Sequence, residues 1–92
     1  AQEAPQTGST VSITSAAEYR LTQVLCLAYE EATAEPSMET FRRVGDSHII
    51  SIGDGMLSLI HARGEVRFRC PLHAMETEPA EVVRRMAASL DL

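Results

Sequence analysis

HIISIGDGMLSLIHARGEVRFRC, residues 48–70, holds the one sustained apolar–polar alternation of the chain and two glycine-containing turn signals. Asp54-Gly55 marks a two-residue hairpin loop, because a type I′ turn needs positive φ at both central residues and Asp-Gly accepts it. That loop sets Ile52 opposite Leu57, Ile50 opposite Leu59 and His48 opposite His61. A second hairpin turning at Gly64-Glu65 would set His61 opposite Phe68, Leu59 opposite Cys70 and Leu57 opposite Leu72. The two turns agree on one face, made of His48, Ile50, Ile52, Leu57, Leu59, His61, Phe68, Cys70 and Leu72. The other face carries Ile49, Ser51, Ser58, Ile60, Arg67 and Arg69. A one-residue slip would exchange the two sets, so the first face is expected to be the core.

Helical signals flank this meander. Ser15-Ala-Ala-Glu18 reads as a capping box, opening a helix that should run to about Ala34 and stop at Pro36-Ser37. Leu21, Val24, Leu25, Ala28 and Ala32 form one stripe along it, and Cys26, Leu27 and Tyr29 extend apolar surface beyond the stripe. Glu30, Glu31 and Glu35 crowd its C-terminal end, where the helix dipole disfavours anions, so that end is expected to fray. Residues 39–44, ETFRRV, suit a short edge strand before the Gly45-Asp46-Ser47 turn. After Pro71, which cannot donate to a ladder, Thr77 is the expected N-cap of a second helix over residues 78–90. Its stripe is Val82, Val83, Met86 and Leu90.

The expected fold is therefore α+β, a two-layer sandwich. An N-terminal helix, a three- or four-stranded antiparallel meander and a C-terminal helix form one domain over residues 13–92. Residues 1–12, polar and without periodicity, read as a flexible arm.

Composition narrows the function classes. The chain has 92 residues, 45% of them apolar, no Trp, and a net charge of −5, so aliphatic side chains must do most of the packing in a domain near the lower size limit for a single core. All eight basic residues are Arg, and Lys and Asn are absent, a usage that suits a GC-rich bacterial genome. Phosphate neutralisation needs clustered cations, so a nucleic-acid binder is not expected. Neither is a membrane protein, since no apolar run approaches a bilayer span and no basic amphipathic helix is present. The first residues lack Met and an apolar targeting core, so no signal peptide is expected. Two cysteines, Cys26 and Cys70, are too few for a disulfide framework and read as buried thiols in a reducing, cytoplasmic setting.

The constellations that could carry chemistry are weak. His48, His61 and Cys70, with His73 nearby, are residue types that bind zinc, but Cys70 lies diagonal to His61 and His73 falls beyond a proline. A Cys/His nucleophilic pair needs an accessible thiolate beside an oriented base, whereas Cys70 is expected to point into an apolar layer. Gly53-Asp54-Gly55 precedes a strand, not a helix, so the phosphate-loop rationale is missing. No enzyme, cofactor or metal is expected. Comparison with double-stranded RNA-binding domains fails on the acidic Thr77-Glu78-Pro79-Ala80-Glu81 turn, where those domains place lysines on phosphates. What remains is an outer sheet face with Arg67 and Arg69, joined by Arg42, around Ile49 and Ile60. That pattern suits docking of an acidic-apolar peptide or a second protomer.

The sequence VRFRCPLHAM followed by ETEPAEVVRRMAASLDL resembles the middle of class I type III secretion chaperones, small acidic bacterial dimers that hold effectors. The resemblance spans residues 44–92. The chain stops where that family adds two strands and a third helix. It implies a homodimer built partly on the second helix, with Val82, Val83, Met86 and Leu90 as candidates, an exposed sheet and first helix that bind an extended segment of a partner protein, and no catalytic residues. The leading expectation is a dimeric chaperone or adaptor that binds through backbone pairing at a sheet edge and through apolar anchors. The alternatives are a regulatory or assembly subunit of a larger complex, and a metal- or thiol-dependent domain.

Overall fold

The computed structural model describes residues 5–90, with side chains described over residues 16–90. Helix α1 spans Pro5–Ala34, and strands β1 (Thr40–Val44), β2 (His48–Gly53), β3 (Met56–His61) and β4 (Val66–Pro71) follow. Two C-terminal helices close the order, α2 (Ala74–Thr77) and α3 (Pro79–Ala88). The strands form one antiparallel meander in sequence order, with β1 and β4 at the edges. This is the α+β arrangement expected from the sequence, with the edge strand formed. Helix α1 lies over β1 and β2, and α3 packs beside α1 and reaches β4.

One core joins the layers. Leu21, Leu25, Ala28 and Ala32 from α1 meet Ile50, Ile52, Leu57 and Leu59 from the sheet and Val82, Met86 and Leu90 from the C-terminal end. Leu21, Leu25, Ile50, Leu57, Leu59 and Met86 are fully closed to solvent. Each such side chain contributes roughly 1.5–3 kcal/mol of burial, which is how a chain without Trp still assembles a core.

The β2–β3 register is the expected one: His48 opposite His61, Ile50 opposite Leu59, Ile52 opposite Leu57. Asp54 and Gly55 both have positive φ, 53° and 74°, as a type I′ turn demands.

The second hairpin differs. Leu59 pairs with Phe68 and Leu57 with Cys70, two residues away from the expected partners, with an irregularity between Leu59 and Ile60. Two devices produce the shift. The loop has three residues, Ala62-Arg63-Gly64, closed by the His61 N–H on the Glu65 carbonyl at 2.7 Å and the Gly64 N–H on the His61 carbonyl at 2.7 Å. Gly64, at φ 100°, takes the left-handed position that such loops reserve for glycine. The loop alone would have set Phe68 on the outer face. A bulge at Arg67, between the pairs Ile60–Val66 and Leu59–Phe68, restores the alternation. The core face therefore keeps its membership while its partners change.

Two helix starts also depart from the sequence reading. The α1 backbone is helical from Pro5, so Ser15 lies inside the helix and does not begin it; a proline at a first helical position is well tolerated. Of the arm assigned to residues 1–12, residues 1–4 lie outside the described residues. Thr77 is not an N-cap: it closes the short α2, and α3 starts after Glu78, whose φ of −148° and ψ of 61° break the helix. Pro79 imposes that break, because the residue before a proline is pushed out of the α region.

At the other end of α1, Glu31 is held by Arg42 through two hydrogen bonds, Nε at 3.2 Å and Nη2 at 2.7 Å. Both side chains are about half exposed (41% and 50%), so the pair stabilises by at most about 1 kcal/mol. It does answer the carboxylate crowding at that end, and α1 continues to Ala34.

Candidate protein-binding face

The helices cover only one side of the sheet. On the other side the register sets out three rows across the strands. The first is Arg43, Ile49, Ile60 and Val66; the second is Phe41, Ser51, Ser58 and Arg69; the third ends on Gly53, Met56 and Pro71. Among the described residues no element packs over these rows. Phe41 is 60% exposed and Val66 is 49% exposed, while Ile49 and Ile60 are half-buried by their neighbours. Soluble chains rarely leave a contiguous apolar patch bare without a use for it.

Local chemistry shapes the face. Arg69 donates from Nε to the Ser58 hydroxyl at 3.1 Å, which satisfies a serine only 5% exposed and lays the guanidinium over the sheet. Arg67, the bulged residue, meets the Glu65 carboxylate at 3.3 Å. A Cβ at Gly53 would stand 2.9 Å from Cγ of Glu39, so the exposed Glu39 side chain rests on the third row.

Of the residues singled out from sequence, Ile49, Ile60 and Arg69 share this face and Arg67 stands at its β4 margin. Arg42 does not belong. It pairs with Ile50 on the core side, because the three-residue turn Gly45-Asp46-Ser47 sets Val44 against His48 and so brings Arg43, not Arg42, beside Ile49. Counting back from that turn would have found Arg43 and Phe41, both missed in the sequence reading. Val66 was hidden by the bulge.

Val82, Met86 and Leu90, named as dimer-interface candidates, are closed inside the chain at 3%, 0% and 7% exposure and offer a partner no surface. Val83 packs at the core margin. Apolar surface that remains outside the sheet lies on α1, where Tyr19 is 66% exposed and Leu27 49%, and at Met38, 61% exposed between α1 and β1.

The histidines and cysteines are dispersed. His48 and His61 stand edge to face with ring centroids 5.1 Å apart. The Ser47 hydroxyl lies 3.0 Å from His48 Nδ1, and the Arg63 backbone N–H donates to His61 Nδ1 at 3.1 Å. His61 does not stand opposite Phe68 as expected, since the three-residue loop gives it the partner Glu65. Phe68 instead lies under the Arg85 guanidinium, 5.9 Å from its centroid. His73 is exposed and 3.5 Å from Glu76. Among the described residues no three His, Cys, Asp or Glu side chains converge as a metal-holding group.

Cys70 packs at the core margin. Burial pushes its thiol up, against a smaller downward pull from the Arg85 cation and a further upward push from Glu78. Cys26, assigned to a buried site from sequence, is exposed on α1, because it falls outside the Leu21–Leu25–Ala28 stripe. Thiolate character and access both govern alkylation. Iodoacetamide at neutral pH is therefore expected to label Cys26 at least tenfold faster than Cys70, read by mass spectrometry of the two tryptic fragments; equal rates would contradict the packing of Cys70.

No described helix is long and apolar enough to cross a membrane. Comparison of the chain with protein-family models, with curated proteins and with solved structures found no match.

Proposed function

We propose that this chain is a small non-enzymatic protein-binding module, a chaperone or adaptor of the bacterial cytoplasm that holds an extended segment of a partner protein. The observation that carries the reading is the uncovered sheet face, where Phe41, Ile49, Ile60 and Val66 form apolar surface that no described element buries. An extended segment suits such a face, since a sheet edge supplies backbone pairing and the adjoining face supplies side-chain anchors. Of the two edges, β4 is blunted by its bulge, its arginines and Pro71, devices that discourage strand addition. Strand β1, with Phe41 and Arg43 turned to the open face, is the edge left for pairing. The resemblance to type III secretion chaperones supports the same reading and adds dimerisation, for which the exposed α1 side of Tyr19 and Leu27 is the available apolar surface.

The reading is tested by placing a photo-reactive residue at Phe41 and, as control, at exposed Glu76 on the helical side, then irradiating cells of the source organism. A discrete heavier adduct is expected from position 41 and not from position 76. Solution mass of the purified chain should correspond to a dimer. A monodisperse monomer that forms no adduct at position 41 would remove the basis for the proposal.

A further inference from the structure

Charge on the open face identifies the chemistry of what it holds. The chain as a whole carries a net charge of −5, yet the three rows present Arg43 and Arg69 against one carboxylate, Glu39, while Arg67 at the margin is paired with Glu65. Asp46 and Asp54 sit in the connecting turns. The open face of an acidic chain therefore carries a net positive charge beside its bare apolar side chains. We infer that the occupant of this face is an acidic-apolar extended segment of a different protein, its carboxylates against Arg43 and Arg69 and its aliphatic or aromatic side chains on Phe41, Ile49 and Ile60. This inference rests on the binding-module reading above.

The geometry sets the spacing of such a segment. Arg43 and Arg69 stand on the two edge strands, three inter-strand steps and one row apart, or roughly 16 Å at about 4.8 Å per step and about 3.3 Å per residue. An extended chain rises about 3.3 Å per residue, so on a stretch that crosses the strands, distinct from any stretch paired along the β1 edge, carboxylates serving both arginines are separated by about five residues, with apolar side chains between them over Ile49 and Ile60. Arg69 is already oriented by Ser58, which reduces the ordering cost of its engagement.

Two other occupants fit less well. A second copy docking face to face would bring Arg43, Arg67 and Arg69 against their own counterparts, and like charges across an interface are costly. A second copy docking its acidic helical side would make a head-to-tail contact that does not close and so grows with concentration.

The experiment pans a random twelve-residue display library against the purified full chain, then against the Arg43→Glu and Arg69→Glu variants, each checked for an unchanged thermal melt. Peptides enriched in Asp and Glu together with Leu, Ile or Phe are expected. A representative synthetic peptide should bind about fivefold or more weakly to Arg43→Glu, the size of one reversed surface pair, and less tightly as salt rises. Arg43→Gln, which removes charge without reversing it, should fall between. Selected peptides without acidic enrichment, or indifferent to Arg43→Glu, overturn the charge assignment while leaving the binding-module reading intact. No selection above bare matrix overturns both. A solution mass that climbs with concentration and is restored to a fixed value by Arg43→Glu makes the occupant a second copy, and the inference fails.

Discussion

Leu59→Asp is expected to abolish folding, whereas Ile60→Asp, one residue further on, should leave a cooperative domain. Leu59 is 0% exposed at the centre of the sheet, between Ile50 and Phe68. The substitution removes the buried leucine contacts, a loss of about 2–5 kcal/mol, and leaves an unpaired carboxylate in an apolar layer at several kcal/mol more. A domain of this size holds of order 5–15 kcal/mol, and a small core sits toward the lower end, so little stability would remain. Ile60 is half-buried on the open face, where an aspartate stays hydrated; the expected loss is about 1 kcal/mol. Circular dichroism melts of the two variants decide the matter. If Ile60→Asp unfolds the chain and Leu59→Asp does not, the assignment of faces is reversed.

The same contrast bears on function. Ile60 lies in the middle of the first row, between Ile49 and Val66, so Ile60→Asp places a negative charge where the acidic segment inferred above would dock. A folded Ile60→Asp protein that has lost peptide binding separates the role of the face in recognition from any role in stability.

How much of this was legible in the sequence depends on whether a feature is written locally. The β2–β3 hairpin was readable because Asp54-Gly55 is a turn of nearly unique geometry, which fixes register without help from the rest of the chain. The α1 stripe was readable for a similar reason: Leu21, Leu25, Ala28 and Ala32 recur at helical spacing, and all four are buried. The β3–β4 partners were misread because glycine permits several loop lengths. Gly64 serves as the last residue of a three-residue loop, and nothing in residues 62–65 says so before the strands are packed. The bulge at Arg67 is a tertiary remedy, set by the need to turn Phe68 and Cys70 toward Leu57 and Leu59. The helix start at Pro5 and the break at Glu78 were missed because Ser15 and Thr77 looked like caps, and a capping residue type permits a helix start without requiring one. On the candidate site, Ile49, Ile60 and Arg69 followed from parity alone. Arg42 was misplaced because β1 had no register until its turn to β2 was counted. Which apolar residues would stay uncovered was not local information at all, since it depends on both helices choosing one side.

The bulge makes a second prediction of large effect, through deletions that look alike in sequence. Removing Arg67 should be tolerated. It joins Val66 directly to Phe68, so the pairs Ile60–Val66 and Leu59–Phe68 continue in uninterrupted alternation, with Val66 and Arg69 outward and Phe68 and Cys70 inward. The losses include the Arg67–Glu65 contact, whose side chains are 26% and 58% exposed and which contributes at most about 1 kcal/mol, and some local twist. Removing Ser58 should be ruinous. Leu57 and Leu59, both 0% exposed, would become neighbours in a strand whose successive side chains point to opposite faces. One leucine must then leave the core at about 2–5 kcal/mol, or the ladder must break against Ile52 or Ile50. β3 cannot absorb the change at a margin as β4 can, because it is paired on both sides. Guanidinium denaturation curves should show the Arg67 deletion within about 1–2 kcal/mol of the parent and no cooperative transition for the Ser58 deletion. Equal loss in the two deletions would mean that Arg67 is not the extra residue and that β4 reaches the core face by some other register.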